Sequence, residues 1–270
     1  VSGAAAALQE LLALMQRLRD AERGCPWDRA QDFASVAPYT IEEAYEVADA
    51  IDRADPARLR DELGDLLFQV VFHARMAEER GWFDFAAVTR GIVDKLVRRH
   101  PHVFADTAGG DQRALARAWD EHKAAERRSA GASAVLADVP LALPALARAA
   151  KLGRRAGRVG FDWPQIAGVR AKVQEELAES DAAVSAGDAL GTAAEIGDLL
   201  FAVANWARHL KVDPEEALRQ ACRRFEGRFA AMEAQAAVAG RRLEELDAEA
   251  WDALWNAAKQ AERDGGEVVQ

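Results

Sequence analysis

The chain has 270 residues, half of them apolar and 30% charged, a globular composition long enough for one large domain or two ordinary ones. A net charge of −10 argues against a large nucleic-acid footprint, which needs a basic face. No uncharged run is long enough for a membrane span, so no membrane or nucleic-acid partner is expected.

Ala, Leu, Glu and Arg dominate, all four favour helices, and alternating β-branched runs are lacking, so the fold class is all-α. The chain opens on Ala4–Ala7, which runs straight into an amphipathic helix with Leu8, Leu11, Leu12, Met15 and Leu18 on one side; no signal peptide is expected. Cys25 and Cys222 match no metal-ligand spacing and are expected as reduced thiols in the cytoplasm.

An internal repeat follows. Shifted by 133 residues, Glu42–Arg75 falls on Glu175–Arg208 without a gap, and 14 of 34 positions agree, far above what shared composition supplies. The echo continues with small gaps: Lys95/Arg99 pairs with Arg224/Arg228, and Trp119/Lys123 with Trp255/Lys259, each pair four residues apart. The chain is therefore a tandem of two helical domains, 1–130 and 140–270. The boundary is expected in Ser129–Pro140, small, weakly charged and ending in a helix breaker. A loop is expected at His102–Gln112. In the second half, helices are expected at 142–156, 166–186, 189–210, 214–239 and 247–263, with Asp213-Pro214 as a cap followed by Pro at the first helical position.

Glu176 and Glu179 are three apart and project from one side of a helix, and Glu195 and Asp198 do the same on the next. A turn near Ser185–Asp188 brings all four together. The first half repeats the set as Glu43, Glu46, Glu62 and Asp65, with a turn near Ala54–Pro56. Taken singly, such pairs are ordinary solvated faces. The segments that follow, LLFQVVFHA and LLFAVANWA, are apolar nearly all round and predict buried helices, which puts the acids at the edge of a core. Four carboxylates there repel one another unless a cation neutralises them. All-oxygen ligation suits Mg²⁺, with Mn²⁺ as a substitute. A di-iron carboxylate bundle needs Glu-x-x-His, and no histidine here has an acid three residues before it.

Gly64 and Gly197 sit mid-helix between the acids, either for close helix packing or to leave room for metal or phosphate. Arg224, Arg228 and Lys259 are candidate partners of a polyphosphate, and Trp255 of a base. Asn205 replaces Phe72 of the first half in an apolar segment, and a buried amide wants a partner, which favours the second half as the active one.

At these residues the sequence resembles the full-length, two-domain MazG family of nucleoside triphosphate pyrophosphohydrolases. The matching segments are GCPWD (Gly24–Asp28), PYTIEEAYEVADAI (Pro38–Ile51), ELGDLLFQVVFHA (Glu62–Ala74), RRHPHVF (Arg98–Phe104), VGFDW (Val159–Trp163) and EIGDLLFAVANWARHL (Glu195–Leu210). The resemblance implies a homodimer and Mg²⁺-dependent conversion of NTP to NMP and diphosphate. It also implies catalysis in the C-terminal domain, with the N-terminal one free for a protein partner. It carries over Glu176, Glu179, Glu195 and Asp198 as metal ligands, and Arg224, Arg228, Trp255 and Lys259 as nucleotide contacts. Glu175 is the candidate general base, beside Glu176 and Glu195 in the catalytic set. The position four before Glu195, often basic in the family, is Gly191, while Arg58 stands there in the first half. The competing function class is a non-catalytic dimeric module that binds metal or nucleotide for regulation.

Overall fold

The computed structural model describes residues 3–104, 111 and 134–266. It divides into two compact units, 1–124 and 125–270, and all regular structure among the described residues is helical. Trp119, Lys123 and residues 129–133 lie outside the described residues; residues 134–140 form turns and extended chain.

The first unit contains α1 (Gly3–Leu18), the short α2 (Pro26–Ala30), α3 (Phe33–Asp52), α4 (Pro56–Glu79), α5 (Phe85–Arg99) and α6 (Pro101–Phe104). The α3–α4 hairpin is its centre. Asp32 caps α3 in a reciprocal box with Ser35, and Asp55 caps α4 through the amides of Ala57 and Arg58, just ahead of Pro56. The core joins Met15 of α1 to Val36 of α3 and Val71, Phe72 and Met76 of α4, with Leu11, Leu12 and Phe85 packed against it. The apolar side of α1 thus does what its spacing predicts. His102–Phe104, expected as loop, instead forms α6: Pro101 starts a turn in which the amides of Val103 and Phe104 return to the carbonyl of His100. Residues 105–110 and 112 of that expected loop lie outside the described residues.

The second unit contains α7 (Ala145–Gly157), α8 (Ile166–Ser185), α9 (Ala189–His209), α10 (Pro214–Val238), a single 3₁₀ turn (Leu243–Glu245) and α11 (Ala248–Gly266). Again a hairpin, α8–α9, is central; α7 packs on α9 and α10, and α10 pairs with α11. Asp188 and Asp213 cap α9 and α10.

The hairpin turns are equivalent in the repeat. The residue after each C-cap has left-handed backbone, Ala54 (φ 51°) in the first unit and Gly187 (φ 68°) in the second. Glycine accepts that conformation freely and alanine does not.

The apolar helices α4 and α9 are buried less completely than their composition predicts. Phe72, Ala74, Ala202 and Ala204 are covered, but Leu67 and Val70 on α4, and Leu200, Phe201 and Val203 on α9, stand exposed. Each two-helix hairpin covers only one side of an all-round apolar helix, so a second apolar face stays open.

Candidate functional site

In the second unit, α8 and α9 run antiparallel and bring one carboxylate oxygen each from Glu176, Glu179 and Glu195 within 4.8 Å of one another. Glu176 is buried, Glu195 half-buried and Glu179 exposed; Asp198 is exposed and stands outside this group. In the first unit, Glu43, Glu62 and Asp65 converge in the same way. The residue left out of that trio is Glu46, which stands close enough to Glu62 to feel its charge.

The electrostatics are those of crowded negative charge. Burial, then the charges of Asp65, Glu46 and Glu62, push the Glu43 carboxyl above the ordinary glutamate range. Glu46 is pushed up chiefly by Glu62. Burial raises Glu179, with Glu176 and Glu195 adding to it against the opposing pull of Lys172.

Each set has one resident cation, supplied from a different place. In the first unit, Arg58 Nε donates to Glu62 at 3.0 Å and its guanidinium also lies 3.4 Å from Asp49. Gly191 replaces that arginine in the second unit, where Lys172 Nζ instead lies 2.7 Å from Glu176 and 2.9 Å from Glu175. Both carboxylates hold Lys172 in its protonated form. Sequence reasoning noticed the missing base at 191 and missed its replacement. The signal was the spacing of Lys172, three and four residues before Glu175 and Glu176 on one helix face. Its counterpart in the repeat is Tyr39.

The mouths of the two hairpins differ more. Tyr45, Asp49, Arg53 and Arg58 line a cavity of about 550 Å³ beside Glu46, and Arg53 Nε is bonded to Asp49 at 2.7 Å. The equivalent residues of the second unit are Ala178, Ala182, Ala186 and Gly191. The first mouth carries charged side chains paired with one another, and the second carries only alanine and glycine at those positions.

A Cβ placed on Gly64 or Gly197 would meet no atom within 4 Å, so close helix packing does not explain either glycine. Gly197 instead lines an open apolar groove of about 580 Å³ with Leu146, Leu152, Leu200 and Phe201.

Arg228 and Trp255 meet between α10 and α11, with Arg224 one turn before Arg228 and Lys259 one turn beyond Trp255 on their helices. The Arg228 guanidinium lies 5.4 Å above the Trp255 ring and its Nε donates to Glu262 at 2.6 Å. Arg224 and Arg228 border a groove of about 420 Å³ floored by Gly227, Ala231 and Ala258. No hydrogen bond or ion pair joins this set to the carboxylates among the described residues.

Asn205 is buried, but the structure commits it elsewhere. It lies seven residues beyond Asp198, about 10 Å along α9. Its Oδ1 accepts from Arg208 Nε at 2.6 Å, and Arg208 grips Asp162 through both terminal nitrogens at 2.9 and 2.6 Å. His209 Nε2 reaches the same carboxylate at 2.8 Å. This network straps the VGFDW segment to α9, so the amide's partner is structural and Asn205 is not placed at the carboxylates.

The family models that match are the MazG nucleotide pyrophosphohydrolase domain over residues 31–104 and phosphoribosyl-ATP pyrophosphohydrolase over residues 161–225, one in each unit. The nucleoside triphosphate pyrophosphohydrolase of Escherichia coli K12 is 47% identical over 95% of this chain and 98% of its own length. The chain belongs to the MazG family. A second relative, the nucleoside triphosphate pyrophosphohydrolase/pyrophosphatase MazG of Thermotoga maritima, is 44% identical over 93% of this chain and 95% of that one. The two matching models place a MazG-type domain on each carboxylate hairpin, α3–α4 and α8–α9, as the internal repeat requires. This MazG chain is an all-α tandem of two related units.

Proposed function

We propose that the second unit hydrolyses nucleoside triphosphates to the monophosphate and diphosphate with a divalent cation, Mg²⁺ or in its place Mn²⁺, held by Glu176, Glu179 and Glu195 and completed by Asp198. One observation carries the reading: three carboxylates from two helices meet within 4.8 Å in a family of nucleotide pyrophosphohydrolases. Opposite ligands of Mg²⁺ stand about 4.2 Å apart, twice a bond of about 2.1 Å, so small side-chain movements close this set around the ion. Bound there, the cation would neutralise phosphate charge and acidify a water.

The chain's own groups supply the rest. Glu175, exposed beside Glu176, is assigned to take the proton of the attacking water. Lys172, now on Glu176, would be freed for the polyphosphate if that carboxylate held the cation. Arg224, Arg228 and Lys259 are assigned to the phosphate tail, and Trp255 to the base. Supporting the choice of this unit are the small residues at its mouth, Ala178, Ala182, Ala186 and Gly191, where the first unit has Tyr45, Asp49, Arg53 and Arg58.

The exposed apolar face of Leu200, Phe201 and Val203 supports a homodimer, in which a second copy covers it. The free thiols Cys25 and Cys222 fit a reducing cytoplasm, and no described helix is long and apolar enough to cross a membrane.

A second reading applies to the first unit. Arg58 on Glu62, and Arg53 on Asp49, commit the cations at its mouth to its own carboxylates, which favours a non-catalytic role in which Glu43, Glu62 and Asp65, flanked by Glu46, hold a cation.

The test is diphosphate release from a panel of NTPs and dNTPs with Mg²⁺. Glu195→Gln is expected to lower kcat by about 100-fold or more, the scale of losing one electrostatic group aimed at the transition state. The paired Glu62→Gln variant reports the first unit's share. An undiminished rate in Glu195→Gln, with loss in Glu62→Gln, would move the reaction to the first unit.

A further inference from the structure

The two carboxylate hairpins continue differently into the helical bundle. Below Asp65 on α4 come Gln69 and His73, one and two turns on along the same face. Across on α3, Thr40 lies one turn beyond Glu43, and its Oγ1 meets His73 Nε2 at 2.9 Å. Gln69 thus sits between the level of the Glu43–Asp65 carboxylates and that of the Thr40–His73 pair. In the second unit the equivalents of Thr40, Gln69 and His73 are Val173, Ala202 and Trp206. The polar column stops at the acids there, and in the first unit it goes on.

Gln69 is only 7% exposed, and its Oε1 is fully buried with no hydrogen-bond partner among the described residues. A buried acceptor in that condition demands an explanation, because folding has stripped its water without replacing it. Helical side chains lean toward the N-terminus of their helix, so the Gln69 amide lies over the turn that carries Asp65. The hydroxyl below is already engaged with His73 and with the carbonyl of Val36. No described hydrogen bond joins Oε1 to the carboxylates above, which leaves it to a ligand or a water.

We propose that Gln69 is the fourth oxygen donor of a cation site in the first unit, completing Glu43, Glu62 and Asp65 either directly or through a water on the ion. This rests on the reading that those three carboxylates take a divalent cation. The donor set becomes three carboxylates and a neutral amide oxygen, the chemistry that hard divalent ions select. The second unit, with Ala202 at that level, lacks the amide donor, so the two units differ in what holds the ion.

The experiment uses the full chain with Glu176→Gln and Glu195→Gln to silence the second unit, with Mn²⁺ alone as the probe and no nucleotide present. Calorimetry and the Mn²⁺ paramagnetic signal report affinity, and thermal unfolding is followed with and without the ion. Gln69→Leu is expected to weaken Mn²⁺ binding by about tenfold or more, the scale of losing an outer partner of a metal site. It is also expected to raise the unfolding temperature of the metal-free chain, because the orphaned acceptor is gone, and to shrink the rise that Mn²⁺ produces. Gln69→Ala, which installs the second unit's residue, loses the same affinity and checks that leucine has not acted by bulk. Mn²⁺ affinity within about twofold of the parent in both variants would overturn the role of Gln69 and leave the carboxylate site standing. If the parent binds no Mn²⁺ while the unaltered chain does, the cation reading of the first unit falls as well.

Discussion

Asp162 offers a test of how the second unit holds α9, the helix that carries Glu195 and Asp198. Its carboxylate accepts from both terminal nitrogens of Arg208 and lies against His209, and the arginine partnership is the main reason it is held down at about 2, against an ordinary 3.8. At about 1.4 kcal/mol per tenfold change in acidity, that difference corresponds to roughly 2 kcal/mol. The carboxylate is 25% exposed, and solvent screening reduces the share realised as stability to about 1 kcal/mol. The sign follows from a depressed value. The stabilisation is fully present above the unfolded value near 3.8 and is lost as pH falls toward about 2. Asp162→Asn is therefore expected to lower the stability of the second unit by about 1 kcal/mol near neutral pH, about 3 °C in unfolding temperature for a unit of this size. The deficit is expected to shrink to roughly half by about pH 3. Calorimetric unfolding across that range, with hydrogen exchange of α9 amides to assign the shifted transition, reads both quantities. A deficit of the same size at about pH 3 as at neutrality, or none at neutrality, would refute an ionic strap and leave only packing.

Three further substitutions follow from backbone and packing. A Cβ on Gly153 of α7 would stand 2.7 Å from Asn205 Oδ1 and 3.2 Å from Arg208 Nε, so Gly153→Ala is expected to cost about 1–3 kcal/mol by prising α7 from α9; urea denaturation measures it, and a neutral result would mean the amide moves aside freely. At the equivalent hairpin turns the same exchange should have opposite signs. Gly187→Ala is expected to destabilise by about 1 kcal/mol, while Ala54→Gly is expected to stabilise by roughly 0.5 kcal/mol once the added freedom of the unfolded chain is subtracted. Thermal unfolding of the two variants side by side checks the pair.

The helical segments of the second unit were legible almost residue by residue, because their limits are written in local chemistry: Asp188 and Asp213 cap, Pro214 starts, and Gly187 turns. Local chemistry also deceived at His102–Phe104, where a Pro101 turn made a short helix of an expected loop. The carboxylate sets were legible because i, i+3 spacing on two helices of a repeated hairpin leaves few arrangements. Spacing could not show that one acid of each four stands aside, Asp198 in one unit and Glu46 in the other.

By itself, then, the order of residues determined the helices, the duplication and the acidic sets, all consequences of contacts a few positions apart. Only tertiary structure decided which polar groups find partners. Asn205 is spent on Arg208 and the Asp162 strap, whereas Gln69, an amide of the same chemistry one turn nearer its acids, is buried without a donor. A side chain's need for a partner is written in its chemistry; whether the partner is there depends on which distant segment folds against it.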